Sequence, residues 1–236
     1  MLAVTTFFWA DPDRKRDYTF THEHVRILKS MVQRNLSIPH KFICVTDDKI
    51  DGIDTIPLDW SKHVPNTVYL RLMMRRPDFG ELINADRVLN LDIDMVVVGS
   101  LDSLVSRPEP SVFWRNPNFP QPGRAFYQSS IQLFTPGDLS FLWSEFDPET
   151  QKLPSGEDIN WRFGGKEQAW ISEMLPWNMP SWDARDGVYG AGRMLSDQGI
   201  RTTLPDNARI VSFPGNRMPD QPEVQEQHLW VKEHYH

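Results

Sequence analysis

The first hundred residues alternate between short apolar runs and longer segments in which apolar residues recur every three or four positions. The short runs predict strands at 2–8, 41–45, 53–56, 87–91 and 95–98. The longer segments predict amphipathic helices at 19–35 and 67–76, the second of them stopped by Pro77. Strands that are apolar almost throughout and alternate with helices are typical of a mostly parallel sheet covered on both faces. We therefore predict an α/β fold whose ligands bind beyond the carboxyl ends of the strands.

The second half of the chain is less regular and carries much of the proline and glycine. Its pattern predicts strands at 111–115, 129–134 and 208–213 and helices at 138–146, 166–175 and 223–234. No repeat, low-complexity tract or clear linker separates the two halves. We therefore predict one domain, 1–236, whose second half supplies loops and a cap over the site.

The composition narrows the partners and the compartment. The formal net charge is −7, whereas a protein that binds nucleic acid by its phosphates needs a basic surface, so we do not expect a nucleic-acid partner. Basic clusters nevertheless occur at Arg14–Arg16 and at Arg71, Arg75 and Arg76. The simplest interpretation of both clusters is a solvated face. The single cysteine, Cys44, lies in an apolar run and is predicted to be a buried strand residue. A lone cysteine, no secretory leader and no apolar run near the ~20 residues that span a bilayer predict a cytoplasmic protein without a transmembrane segment.

Two aspartates interrupt an apolar frame after the third long strand. Asp92 and Asp94 are followed at once by another apolar run, and buried carboxylates are costly unless a positive group compensates them. On an extended backbone the i, i+2 spacing points both side chains to one side, where their oxygens can bind Mg²⁺ or Mn²⁺. The alternative is a pair of solvated acids that cap the next turn. A rival pair, Asp47 and Asp48, has no resumed strand behind it and favours an ordinary turn.

Six segments, in order along the chain, carry a resemblance to a known family. They are Phe42–Asp48, Leu89–Asp102, Gln128–Leu133, Lys166–Ile171, Ile210–Pro219 and Trp230–Tyr235. The segment that contains Asp92 and Asp94 is the most specific of the six, because a strand, an Asp-x-Asp and a second strand follow one another. Together the segments resemble the GT-A glycosyltransferases, especially the glycogenin-like family 8 and its bacterial and phage relatives.

The resemblance implies the GT-A fold, with a nucleotide-binding half at 1–105 and a sugar- and acceptor-binding half at 106–236. It also implies a glycosyltransferase that takes a sugar from a nucleotide-sugar donor, above all a UDP-sugar, and retains the anomeric configuration. The acceptor would be a carbohydrate or a glycoconjugate. Asp92 and Asp94 would bind Mn²⁺ or Mg²⁺, which would stabilise the leaving nucleoside diphosphate.

The resemblance also suggests catalytic residues around the sugar. Gln168 would support the reacting sugar carbon or orient the acceptor, and Glu167 would bind donor hydroxyls. Arg71 would contact the donor phosphates or the acidic pair. Each has a plainer alternative: Arg71 as a surface residue of a helix, and the other two as polar residues of a first helical turn.

Five further positions are assigned to the donor by the same resemblance. Ser130 and Gln132 would line the sugar pocket, or else face solvent from a strand. Thr6 and Trp9, at the end of the first strand, would hold the ribose and the base, with the indole stacked on the base. Asp92 would contact the donor as well as the metal.

Three positions depart clearly from the family's pattern, and a fourth, Glu167 in place of an aspartate, is a milder change. Ser212 stands where the family has a third metal ligand, a histidine; Met218 replaces a lysine that contacts the diphosphate, and Asp220 replaces a tryptophan. His228 or Arg217 could compensate from nearby. The departures keep open a non-catalytic relative that binds a nucleotide sugar or a glycan. A nucleotide-sugar hydrolase or a nucleotidyltransferase, which can share the same half-sheet, is a further alternative.

Overall fold

The structure of this protein is a computed structural model. It describes residues 1–9, 20–64, 68–116, 125–152, 156, 167–191, 203–213 and 218–236. The basic cluster Arg14–Arg16, Lys166 and Arg217 lie outside the described residues, so the predictions that involve them are not addressed by the fold.

The described residues form a central seven-stranded sheet in the order β3-β2-β1-β4-β7-β6-β8. Its strands are β1 (Leu2–Phe7), β2 (His40–Val45), β3 (Asp54–Ile56), β4 (Arg87–Leu91), β6 (Ser111–Arg115), β7 (Tyr127–Phe134) and β8 (Ser181–Trp182). The four strands of the first half run parallel, as their apolar runs predicted. Strand β7 is antiparallel to β4 and to β6, so the second half turns the sheet into a mixed one.

A second, three-stranded sheet lies beside the first. It consists of β5 (Met95–Val97), β10 (Ile210–Ser212) and β9 (Val188–Gly190) in that order. The strand predicted at 95–98 is therefore present, but it is not a neighbour of the parallel strands. A turn at Ile93 and Asp94 directs the chain out of the central sheet, and β5 then pairs with β10 in antiparallel fashion.

The α-helices among the described residues are α1 (His22–Asn35), α2 (Phe79–Ile83), α3 (Asp102–Val105), α4 (Phe141–Ser144), α5 (Glu167–Met174), α6 (Pro222–Gln227) and α7 (Leu229–His234). Three of the predicted α-helices, at 19–35, 138–146 and 166–175, are present but shorter, and α2 and α3 were not predicted. Two predictions need correction. The helix predicted at 67–76 is a 3-10 helix, Tyr69–Arg75, and the one predicted at 223–234 is divided at His228.

Helices cover both faces of the central sheet, which explains why β1, β2 and β4 are buried along most of their length. On one face Val25, Leu28 and Met31 of α1 pack on β1 and β4. On the other face, the 3-10 helix Tyr69–Arg75, called here the 69–75 helix, packs with α2. Cys44 is fully buried in β2, as predicted. None of the helices in the described part of the chain is long and apolar enough to cross a membrane.

Candidate active site

The two aspartates lie at the carboxyl edge of β4, where the chain passes from one sheet to the other. The backbone N–H of Asp92 donates to the Ser130 carbonyl in β7 (2.9 Å), and the Asp94 carbonyl accepts from the Phe213 N–H after β10 (2.9 Å). Ile93 between them is buried, whereas both aspartates are half-buried. Each carboxylate is thus carried by backbone that is tied to a different sheet.

Arg71, on the 69–75 helix, joins one of these aspartates to the start of α5. One guanidinium arm donates to the Asp92 carboxylate and the other pairs with the Glu167 carboxylate. The second arm also lies 3.3 Å from Ser129 Oγ, which donates to Glu167 Oε1 (2.5 Å). The Arg71 side chain is only 11% exposed and that of Glu167 1%. The interpretation of Arg71 as a solvated surface residue is therefore wrong.

The electrostatics of this cluster are set by burial and by the excess of acids. Burial alone would lower the pKa of Arg71, but the charges of Asp92 and Glu167 outweigh it, and Asp94 adds to them, so the pKa lies above its ordinary value. Burial raises the pKa of Glu167, and Arg71 and Ser129 oppose this only in part. With all three carboxyl groups ionised, the formal charge around the one guanidinium would be −2, which a divalent cation would neutralise.

A bulge in β7 places Ser129 in the cluster. Along the β6–β7 pair Phe113 is opposite Gln132, but the next residue, Trp114, is opposite Gln128. Residues 129–131 are therefore inserted without partners on β6. Bulges of this kind re-aim side chains and are common beside functional sites. Sequence reasoning missed Ser129; the polar run from 128 to 130 marked the segment, but not which serine would meet the arginine.

Gln132 is placed differently from the prediction. It is 1% exposed, and its amide oxygen accepts a hydrogen bond from Arg75, while its nitrogen donates to the Ser129 carbonyl (3.0 Å). Arg75 is likewise 1% exposed, which overturns its interpretation as part of a solvated face. The alternative that Gln132 faces solvent is also wrong. Its amide is committed to protein partners, which corrects the prediction that it lines a sugar pocket.

The other predicted donor-binding residues lie along the same strands. Thr6 is fully buried in β1 and Ser130 is 9% exposed in β7; neither hydroxyl has a hydrogen-bond partner among the described atoms. Trp9 is half-buried and packs against the apolar cluster that includes Phe7. Gln168, in the first turn of α5, is half-buried. A donor hydroxyl or phosphate oxygen could pair with the two buried hydroxyls.

The positions that depart from the family's pattern are buried or engaged elsewhere. Ser212 is 3% exposed in β10, opposite Met95, and Met218 is 2% exposed. Asp220 lies 3.3 Å from His24 Nε2. His228 is 3% exposed, with its ring 6.2 Å from that of Phe213. Within the described ranges, no group of three or more His, Cys, Asp or Glu side chains is arranged to hold a metal ion.

The rival acidic pair is an ordinary turn, as predicted. Asp47 accepts hydrogen bonds from the Leu58 N–H (3.0 Å) and from the Trp60 indole (2.6 Å). Asp48 pairs with His22 at the surface. Both acids therefore serve the local structure of the loop after β2.

Solved structures of glycosyltransferases are similar to the whole chain. A crystal structure of the galactosyltransferase LgtC in complex with donor and acceptor sugar analogs superposes with a TM-score of 0.58 at 13% identity, covering 95% of this chain and 91% of that one. An active-site mutant of LgtC gives 0.58 at 13% identity, over 99% and 95%. No protein-family model matches the chain, and no curated protein sequence matches it. The chain therefore has the GT-A fold of these glycosyltransferases, as the resemblance in its sequence predicted.

Proposed function

We propose that this chain is a metal-dependent glycosyltransferase. It would take a sugar from a nucleotide-sugar donor, a UDP-sugar in the first place, and transfer it with retention to a carbohydrate or glycoconjugate acceptor. The observation that carries the proposal is the cluster at the carboxyl edge of β4. There Asp92 and Asp94 stand beside the buried Arg71–Glu167 pair. The fold shared with LgtC supports it.

Asp92 and Asp94 would hold Mn²⁺ or Mg²⁺. Carboxylate oxygens suit these hard cations, which usually take one or two carboxylates and complete their shell with water and substrate phosphates. The formal charge of −2 in the cluster favours a divalent cation there. When bound, the cation would offset the charge that builds up on the leaving nucleoside diphosphate.

The remaining residues would bind and orient the donor. Arg71 holds the Asp92 carboxylate by a hydrogen bond, so that this ligand is already oriented before the donor arrives. Glu167 and its Ser129 partner would bind sugar hydroxyls, and Gln168, the next residue in α5, would support the reacting sugar carbon or orient the acceptor. The buried hydroxyls of Thr6 and Ser130 would bind the ribose and the sugar. Trp9 would lie beside the base.

A non-catalytic protein that binds nucleotide sugars or glycans is the second candidate. The buried, apolar Met218 cannot replace a lysine that clamps a diphosphate, and Ser212 is a weaker metal ligand than a histidine. These two positions favour binding without turnover. A nucleotide-sugar hydrolase or a nucleotidyltransferase is the third candidate, and assays with and without an acceptor separate it from the other two.

The proposal is tested by thermal unfolding with nucleoside diphosphates and sugar nucleotides, each with and without Mn²⁺. A ligand that binds only the folded state at 100 times its Kd stabilises it by about 2.7 kcal/mol. For a chain of this length that is a rise in Tm of roughly 5 to 10 °C. We expect such a rise for one nucleotide, dependent on Mn²⁺ and absent in Asp94→Ala.

The matched control is Asp48→Ala, which removes an acid in the loop after β2, outside the cluster. It should keep the Mn²⁺-dependent rise. No rise with any nucleotide in the wild type refutes donor binding. Turnover that needs an acceptor supports the transferase, binding alone supports the second candidate, and diphosphate release without an acceptor at the full rate supports the hydrolase.

A further inference from the structure

Arg75 is a buried arginine that the proposed mechanism does not use. Its guanidinium donates to Ser111 Oγ (3.1 Å) and to the Gln132 amide oxygen. It also lies 4.4 Å from the ring centre of Phe134 and 5.2 Å from that of Phe113. These partners are two neutral groups and two aromatic faces, so none of them is a carboxylate in direct contact.

The charge of this arginine is retained in spite of its burial. Burial lowers the pKa of Arg75 to about 9, against the opposing charge of Asp138, and the guanidinium is therefore still protonated at neutral pH. Asp138 reaches it only through Ser111, whose hydroxyl donates to the carboxylate (2.6 Å). A buried cation held in this way is costly. A charge that is buried at this cost in free energy is expected to have a local structural role.

The amide of Gln132 connects Arg75 to a second partner. While its amide oxygen accepts from Arg75, its amide nitrogen donates to the carbonyl of Ser129, which lies in the β7 bulge. Ser129 has no partner residue on β6 at this point, so the side chain of Gln132 takes the place of a strand neighbour. The hydroxyl of the same serine contacts Arg71 and Glu167.

We propose that Arg75 and Gln132 are positioning residues, which hold the β7 bulge so that Ser129 meets Arg71 and Glu167. Arg71 and Arg75 both belong to the 69–75 helix. Two side-chain contacts therefore join this helix to β7: Arg71 contacts Ser129, and Arg75 contacts Gln132. The effect on ligand binding rests on the proposed function, whereas the effect on the bulge does not.

The connection from Arg75 through Gln132 to the Ser129 carbonyl is called here the brace. The variant Gln132→Glu keeps its contact with Arg75 and removes its contact with Ser129. A carboxylate still accepts from Arg75 and pairs with its charge, but it cannot donate to the Ser129 carbonyl. The variant should therefore remain folded, with an unfolding midpoint close to that of the wild type. Its affinity for the nucleotide that shifts the wild type, measured by titration with Mn²⁺, should fall by about tenfold, the order of one hydrogen bond.

The matched control is Ser111→Ala. It removes the other hydrogen bond of Arg75 and leaves the Gln132–Ser129 contact in place. We expect it to lower stability and to keep nucleotide affinity within about twofold of the wild type, because the hydrogen bond from Gln132 to the Ser129 carbonyl remains. If Gln132→Glu binds the nucleotide as well as the wild type does, the proposed role of Gln132 is refuted.

A second measurement decides the question without any ligand. The unfolding free energies of Ser129→Ala and Gln132→Glu, alone and combined, form a double-mutant cycle. If Gln132 aims the Ser129 hydroxyl, removal of the hydroxyl costs less once the brace is cut, so the two losses are not additive. Additive losses overturn the inference. Additivity is the expected result for Ser129→Ala with Ser111→Ala.

The two measurements also distinguish this inference from the proposed function. A wild type that binds no nucleotide defeats the proposed function, and the cycle alone then decides the brace. A wild type that binds a nucleotide, combined with an additive cycle, defeats the brace and leaves the proposed function standing.

Discussion

Replacement of Arg71 by methionine tests whether the buried ion pairs are what makes the cluster possible. The substitution leaves Glu167, which is 1% exposed, and Asp92, which is 21% exposed, beside each other without a counter-charge. Removal of one partner from a buried pair costs about 3–5 kcal/mol. For a chain of this length we expect a Tm lower by roughly 6 to 20 °C.

The cost should come from the stranded acids, and two further measurements show whether it does. Glu167→Gln in the Arg71→Met background removes one buried charge and keeps an acceptor for Ser129, so it should recover about 1 kcal/mol or more. The loss should also shrink as the pH falls. Burial raises the pKa of Glu167, so the folded state binds this proton more tightly than the unfolded one, and acid relieves the stranded charge.

Urea unfolding at several pH values measures these quantities, with Arg71→Lys as the variant that keeps the charge but not the two-armed geometry. The free energy of unfolding of Arg71→Lys should lie between those of the wild type and Arg71→Met. A loss within about 0.5 kcal/mol for Arg71→Met is the value of an ordinary surface substitution. That result, or a loss that does not change with pH, would refute the reasoning.

Three further predictions concern other parts of the chain. Burial would raise the pKa of Asp59, but the hydrogen bonds from Ser61 and then the charge and hydrogen bond of Arg76 (2.7 Å) hold it below its ordinary 3.8. Arg76→Gln removes part of this effect and should therefore cost up to about 1 kcal/mol at neutral pH. That loss should vanish as the pH falls below the lowered pKa, and a full loss at about pH 2 would contradict it. Burial raises the pKa of Cys44 to about 12, so the thiol should not react in the folded chain. Alkylation followed by mass spectrometry should detect modification of Cys44 only after unfolding, and rapid modification of the folded chain would contradict this prediction. Gly187 has φ +84°, and a Cβ there would lie 2.1 Å from the Asn207 carbonyl; Gly187→Ala should lower stability by more than about 1 kcal/mol, and thermal unfolding at the wild-type temperature would disprove this.

The parallel half of the fold could be predicted from the sequence because its strands are buried on both faces. Strand β4 has the predicted bounds, and β1 and β2 differ from them by a residue. Apolar runs of this length without alternation are typical of strands that are covered on both faces. The carboxyl edge of β4, and with it Asp92 and Asp94, followed from the same pattern.

The predictions that failed involve long polar side chains and short elements. The helical spacing of 67–76 was correct, but only packing decides between a 3-10 and an α-helix over seven residues. Arg75 was interpreted as solvated because arginine usually is. Its two aromatic neighbours come from β6 and β7, which are distant in the sequence. No local pattern marks such a pocket.

The sequence by itself determined the strands of the first half, the edge at which they end and the acids placed there, because burial on both faces leaves an unambiguous apolar pattern. The tertiary structure alone decided which side chains meet those acids. Arg71, Ser129 and Glu167 come from a 3-10 helix, a strand and an α-helix. Their meeting depends on the bulge in β7, whose register is set by contacts between strands and not by the residues of one strand.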